Sequence, residues 1–212
     1  MQHPRRTVRL DRALFTSYFA VSLGLVGAAT SANAQRAVPS GGLSSATLSF
    51  DGHANVGDFV GTTHEANGSE TGGASVDSVR GWVEAPVATL VTGNGRRDGD
   101  LRKTMEVEKY PTMRFDLERA ETADAAAGAD SLAAVLHGKL TIHGVTRDID
   151  IPAGLVFTGT DVRVRASFPV ALTDYKVTGL TRFLGILSMD EHIVVHIDVS
   201  FAFSPTTAGP PN

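Results

Sequence analysis

The feature that most constrains this chain is a two-residue alternation of apolar and polar side chains, which returns in segment after segment. In residues 112–118, Met113, Phe115 and Leu117 share one face, and Arg114, Asp116 and Glu118 share the other. Leu132, Ala134, Leu136, Gly138, Leu140 and Ile142 oppose His137, Lys139, Thr141 and His143. Ile149 and Ile151 alternate with Asp148 and Asp150; Val162, Val164, Ala166, Phe168 and Val170 alternate with Arg163, Arg165 and Ser167. Near the end, Ile193, Val195, Ile197, Val199, Phe201 and Phe203 alternate with His196, Asp198 and Ser200. Successive side chains of a strand point to opposite faces, so each segment reads as a strand with one dry and one wet side. Parallel strands buried on both sides would read as continuous apolar runs, so the sheet is antiparallel.

Strands linked by short turns, with no βαβ rhythm, predict an all-β fold: a closed or nearly closed antiparallel up-and-down barrel of about eight strands. A β-sandwich has the same strand pattern and stays open. The earlier region is less regular. Residues 47–50, 52–62 and 76–90 read as strands, with Pro86 marking an edge or bulge in the third. Asn67-Gly68 and Asn94-Gly95 read as turns, and Gly144-Val145 as a tight hairpin. Residues 97–107 lose the alternation and read as a short helix; residues 119–130 are rich in Ala, Asp and Glu and read as a loop.

The N-terminus reads separately. Arg5, Arg6, Arg9 and Arg12 precede an uncharged run over residues 13–29, and Ala32-Asn33-Ala34 places small residues two apart. This pattern predicts a secretory signal peptide over residues 1–34, too short and too diluted by hydroxyls for a membrane span. Residues 35–45 then form a linker, 46–203 the barrel domain and 204–212 a tail. The leader holds four of the 19 Lys+Arg and one of the 23 Asp+Glu, which leaves 15 against 22, a net −7. Such a balance argues against nucleic acid and against electrostatic attachment to anionic lipid, so the expected partner is neither. There is no cysteine, so disulfides and thiolate chemistry are excluded.

No catalytic constellation stands out. His192 and His196 on a strand would lie roughly 13 Å apart, too far for one ion. His137, His143 and His196 meet only if strands bring them together. Asp148 and Asp150 read as a solvated strand face. Arg96, Arg97, Arg102 and Lys103 form a local basic island, which could hold an anionic head group or pair with Asp98, Asp100, Glu106 and Glu108.

Two blocks carry a resemblance. The first is Thr92-Gly93-Asn94, Arg97-Asp98, Leu101-Arg102, Glu108-Lys109-Tyr110-Pro111 and Phe115; the second runs without a break from Gly138 to Thr146, then Ile149 and Ile151. Phe168, Asp174-Tyr175 and the segment from Asp190 to Phe201 agree more loosely. Together they resemble the YceI-like family of exported bacterial proteins, lipocalin-like barrels described as binding polyisoprenoids or lipids. Where that family often has a His two residues after the Arg-Asp pair, this chain has Asp100.

The resemblance implies a periplasmic or secreted carrier, monomeric or homodimeric. It would hold a long-chain isoprenoid or other apolar lipid, without a cofactor, metal or catalysis. The apolar strand faces supply the candidate ligand contacts: Met113, Phe115, Leu140, Ile142, Phe168, Val170, Tyr175, Ile197 and Val199. Trp82 and Tyr175 are expected near a mouth. Two other readings stay open at this point. One is an enzyme or redox partner using an isoprenoid quinone or a histidine-held metal. The other is a packed, stress-protective barrel.

Overall fold

The computed structural model describes residues 37–55, 57–122, 130–179, 181–182 and 187–204. The expected leader, residues 123–129 of the expected loop and residues 205–212 of the expected tail lie outside these. The strands are β1 (Gly41–Gly52), β2 (Phe59–Thr63), β3 (Asn67–Thr71), β4 (Arg80–Pro86), β5 (Thr112–Thr122), β6 (Ser131–Ile142), β7 (Val145–Phe157), β8 (Asp161–Ala171), β9 (Thr181–Arg182), β10 (Leu187–Ser188) and β11 (His192–Phe203). A single α-helix among the described residues, α1 (Gly95–Thr104), joins β4 to β5.

The large sheet is antiparallel and runs β11-β8-β7-β6-β5-β4-β3-β1-β2, and β11 also pairs with β1. That last pairing extends from Gly41↔Phe203 to Asp51↔Val194 and closes an eight-stranded barrel, with β2 as an added strand. Closure rules out the sandwich and removes the free edges that an open sheet would expose. β1 shares one side between two partners: β3 at Gly41 and Gly42, and β2 from Leu48 to Gly52.

The strand directions define two ends. α1, the end of β1 and the β6–β7 turn lie at one; the start of β1, Glu70 of β3 and the end of β11 lie at the other. At the first end, His143 and Gly144 form the two-residue turn between β6 and β7, with φ of 51° and 71°. Both central residues of such a turn need positive φ, which Gly144 adopts without strain.

Several sequence expectations shift for identifiable reasons. A bulge between Leu117 and Arg119 flips the phase of β5, so the strand continues to Thr122, with Ala120 buried, through residues read as loop. A second bulge, between Leu43 and Ser45, hides the start of β1, which begins at Gly41 rather than at residue 47. Residues 52–62 are not one strand: β1 ends at Gly52, and β2 starts at Phe59 after Gly57, whose φ is 125°.

Residues 76–90 divide into a 3-10 turn (Val76–Ser78), β4 and a second 3-10 turn (Val87–Thr89). Pro86, which has no N–H for a ladder, is the last residue of β4. Asn67-Gly68 lies inside β3, not in a turn; Gly68 is needed for close approach, since a Cβ there would sit 2.7 Å from the Trp82 carbonyl. Asn94 caps α1 and does not head a hairpin: its side chain accepts the Arg96 and Arg97 N–H groups.

Candidate ligand-binding lumen

The inward strand faces do not fill the barrel. They surround a cavity of about 530 Å³. On one side, Leu136, Leu140, Ile151 and Leu155 of β6 and β7 are buried. On the other, Leu48, Val83, Phe115, Leu117, Val195 and Ile197 are only half-buried, although their alternation points them inward. Their remaining exposed surface faces the cavity, which makes the lumen apolar along most of its length.

The family-like sequence blocks build the end at which α1 sits. Asp98, in the first turn of α1, is buried and accepts from the Thr92 backbone N–H at 2.8 Å and from the Thr92 hydroxyl at 2.6 Å. These bonds hold its pKa below the ordinary carboxylate value, the Thr92 hydroxyl contributing most. They also tie the chain after β4 to the helix. The two blocks then meet: the Tyr110 ring stands 4.4 Å from that of His143, and a Cβ at Gly144 would collide with Tyr110. This contact requires Gly144 sterically as well as conformationally.

α1 is polar outward, but Leu101 and Met105 face the lumen. The rim around them is polar: Asn55, Asn94, Arg96, Arg97, Asp100 and Ser188 all border the cavity. Arg97 is also stacked over the Phe59 ring, 4.2 Å from its centroid. Arg102 donates to the Ala88 carbonyl, so the basic island does not act as one patch.

The opposite end is closed. Val38, Val76 and Val79 are buried across it, with Val162 and Phe157 beside them. Among these stands Glu70, 7% exposed, which also lines the cavity. Among the described residues neither carboxylate oxygen has a hydrogen-bond partner, and burial pushes the pKa up to about 7. Sequence reasoning missed this residue. It lies in a short polar run, Asn67 to Thr71, where nothing local marks a side chain as inward.

Of the sequence-derived contact candidates, Met113, Phe115, Leu140, Ile142, Phe168, Ile197 and Val199 line the cavity together. Val170 and Tyr175 are buried elsewhere, beside Arg147 and Asp174 at the α1 end of the β7–β8 seam. Pairing of β7 with β8 stops at Ala153↔Ala166, next to Pro152, and Tyr175 lies in the gap. Burial pushes its phenol pKa up. Trp82 alternates out of phase with Val83 and Ala85, and its ring lies under the Arg114 guanidinium, at 4.4 Å, on the outer face.

The histidines are not brought together. His137 meets Asp150 at 2.6 Å, His196 meets Asp51 and Ser167, and His143 contacts the Tyr175 carbonyl. Among the described residues, no group of three or more His, Asp or Glu side chains could hold a metal ion. Asp148 and Asp150 are exposed on the outer face, where Asp148 pairs with Lys139. No described helix is long and apolar enough to cross a membrane.

The comparisons with known proteins agree with this geometry. The fold matches a polyisoprenoid binding domain from Saccharophagus degradans, with a TM-score of 0.62 at 14% identity, over 77% of this chain and 98% of that one. It also matches BcnA from Burkholderia cenocepacia, with a TM-score of 0.60 at 16% identity, over 73% and 95% of the two chains. No curated protein matches the sequence. The sequence profile of the YceI-like domain matches residues 43–201. That span runs from β1 to β11, so it takes in the closed barrel, its helix and its lumen: the chain belongs to the YceI-like domain family.

Proposed function

We propose that the protein is an exported carrier that holds one long apolar chain, a polyisoprenoid or similar lipid, in the barrel lumen and performs no chemistry on it. The observation that carries this reading is the apolar cavity of about 530 Å³, within the size range of small-molecule sites and bordered by polar groups at one end. Each methylene buried there contributes ~0.8 kcal/mol, so a chain of roughly 20 carbons gains about 16 kcal/mol before association costs. Binding then needs no charged anchor. Seven of the sequence-derived candidates would touch the chain: Met113, Phe115, Leu140, Ile142, Phe168, Ile197 and Val199.

The family and the fold likeness to a polyisoprenoid binding domain support this reading. The separation of His137, His143 and His196 speaks against a histidine-held metal, and the lumen speaks against a packed scaffold. Export rests on the leader pattern, so the mature N-terminus is expected at Gln35, in the periplasm or outside the cell. Solvent extraction of the purified native protein, followed by mass spectrometry, should yield an apolar lipid in stoichiometric amount. Finding none, together with no uptake of added isoprenoid, overturns the proposal.

A further inference from the structure

The closed end of the lumen contains a group that a purely apolar guest does not serve. Glu70 is the only ionisable side chain among the described lining residues in the half of the lumen away from α1. Its cross-strand neighbours are both glycines, Gly41 on β1 and Gly81 on β4. A Cβ at Gly41 would stand 3.1 Å from the Glu70 Oε1, and one at Gly81 would stand 3.2 Å from the Glu70 Cβ. The two glycines therefore leave the room that the carboxyl occupies. Around it, the side chains of Val38, Val76 and Val79 provide no donor, and among the described residues no cation pairs with either oxygen.

Buried polar groups are almost always satisfied, and one that is not points to a missing partner. A hydrocarbon end seated here would leave the carboxyl unserved. A phosphate would meet another acidic group in a dry pocket. A charged amine would have to be stripped of water to form an ion pair that barely repays its desolvation. A hydroxyl fits best, since a carboxylic acid both donates to and accepts from it. The last side-chain torsion of Glu is soft, so the carboxyl can turn an oxygen towards the lumen at little cost.

We propose that Glu70 forms a polar subsite at the floor of the lumen, which hydrogen-bonds the neutral hydroxyl terminus of a lipid alcohol lying along the barrel. This rests on the carrier reading and deepens it, because it assigns the chemical class and the direction of the guest.

The test uses lipid-stripped protein and displacement of a fluorescent apolar reporter by three probes of equal chain length. These are geranylgeraniol, the corresponding hydrocarbon and the corresponding amine. Wild type should bind the alcohol about 10-fold more tightly than the hydrocarbon. Glu70→Leu should remove that preference while hydrocarbon binding stays equal or improves. Glu70→Gln, which can still donate and accept, should keep the alcohol within about 3-fold of wild type. Circular dichroism and a melting curve establish that each variant is folded. Equal binding of alcohol and hydrocarbon by wild type overturns the subsite, as does a preference that survives Glu70→Leu. A stronger preference for the amine overturns it in favour of an ion pair. If the hydrocarbon and the alcohol both fail to displace the reporter, the carrier reading itself falls, and the subsite with it.

Discussion

The two ends of the lumen treat polar groups in opposite ways. At the α1 end, Arg97 stacks on Phe59, Asp98 is held by Thr92, and Asn94 caps the helix. At the closed end, the Glu70 carboxyl has no hydrogen-bond partner among the described residues. The same functional group, a carboxyl, is thus stabilised in its charged form at one end and disfavoured in it at the other: Asp98 has a lowered pKa and Glu70 a raised one. The polar groups at the rim find partners within the protein, whereas the floor's carboxyl finds none among the described residues.

The largest expected effect comes from removing the space between the ends. Ala166 on β8 faces the lumen and is half-buried. Ala166→Trp should lower the affinity for any apolar chain at least ~100-fold, the loss of roughly 3 kcal/mol of buried contacts, by reporter displacement. The barrel should still fold, because the ring enters an existing void rather than a packed core. Binding that is unchanged by this variant would place the guest outside the lumen.

The next effect isolates the floor. The Glu70 carboxyl titrates near 7 in the folded protein, against 4.5 for the ordinary value. Between those values the folded state keeps a proton that the unfolded state has released, so stability falls as pH rises from about 4.5 to 7, then levels off. The full loss is of order 3 kcal/mol. Glu70→Leu should remove this slope, so its stability relative to wild type should be about 3 kcal/mol more favourable at pH 8 than near pH 4. Urea unfolding at a series of pH values measures both. A wild-type profile that rises over this window would contradict the desolvated floor.

The smaller effects belong to the rim. Asp98→Ala should lower the melting temperature by roughly 2–6 °C, by releasing the Thr92 N–H and hydroxyl and loosening the start of α1. In wild type the stabilisation from Asp98 runs opposite to that from Glu70: its depressed pKa makes the contribution full above the ordinary carboxylate value, and it is lost as pH falls. Arg97→Ala removes one cation–π contact, worth ~0.5–1 kcal/mol, and should change hydrocarbon affinity less than about 3-fold. A large loss of hydrocarbon binding in this variant would mean that the rim, not the lumen, does the holding.

The contrast between the ends also marks what could be read in the sequence. Strands such as β6, β8 and β11 keep a strict phase, so the sides facing inward were legible, and Leu140, Phe168 and Ile197 fall on the lumen as their alternation requires. Alternation says which face a residue is on and not how high it stands. Val170 has the right phase, yet it lies where the β7–β8 ladder has ended, beside Tyr175. Phase is lost at bulges, which is why the start of β1 and the end of β5 were hidden. Whether the interior is hollow depends on barrel closure and girth, which no single segment encodes. Glu70 was illegible for the same reason: its setting is made by Gly41 and Gly81, one on each neighbouring strand and neither adjacent to it in the chain.

The most direct test is a crystal structure of the protein saturated with geranylgeraniol. One continuous chain of density should run from the rim beside Arg97 to the floor, with the guest's oxygen within hydrogen-bond distance of the Glu70 carboxyl. A lumen filled by ordered water, or by side chains collapsed across it, would rule out a guest held in the barrel.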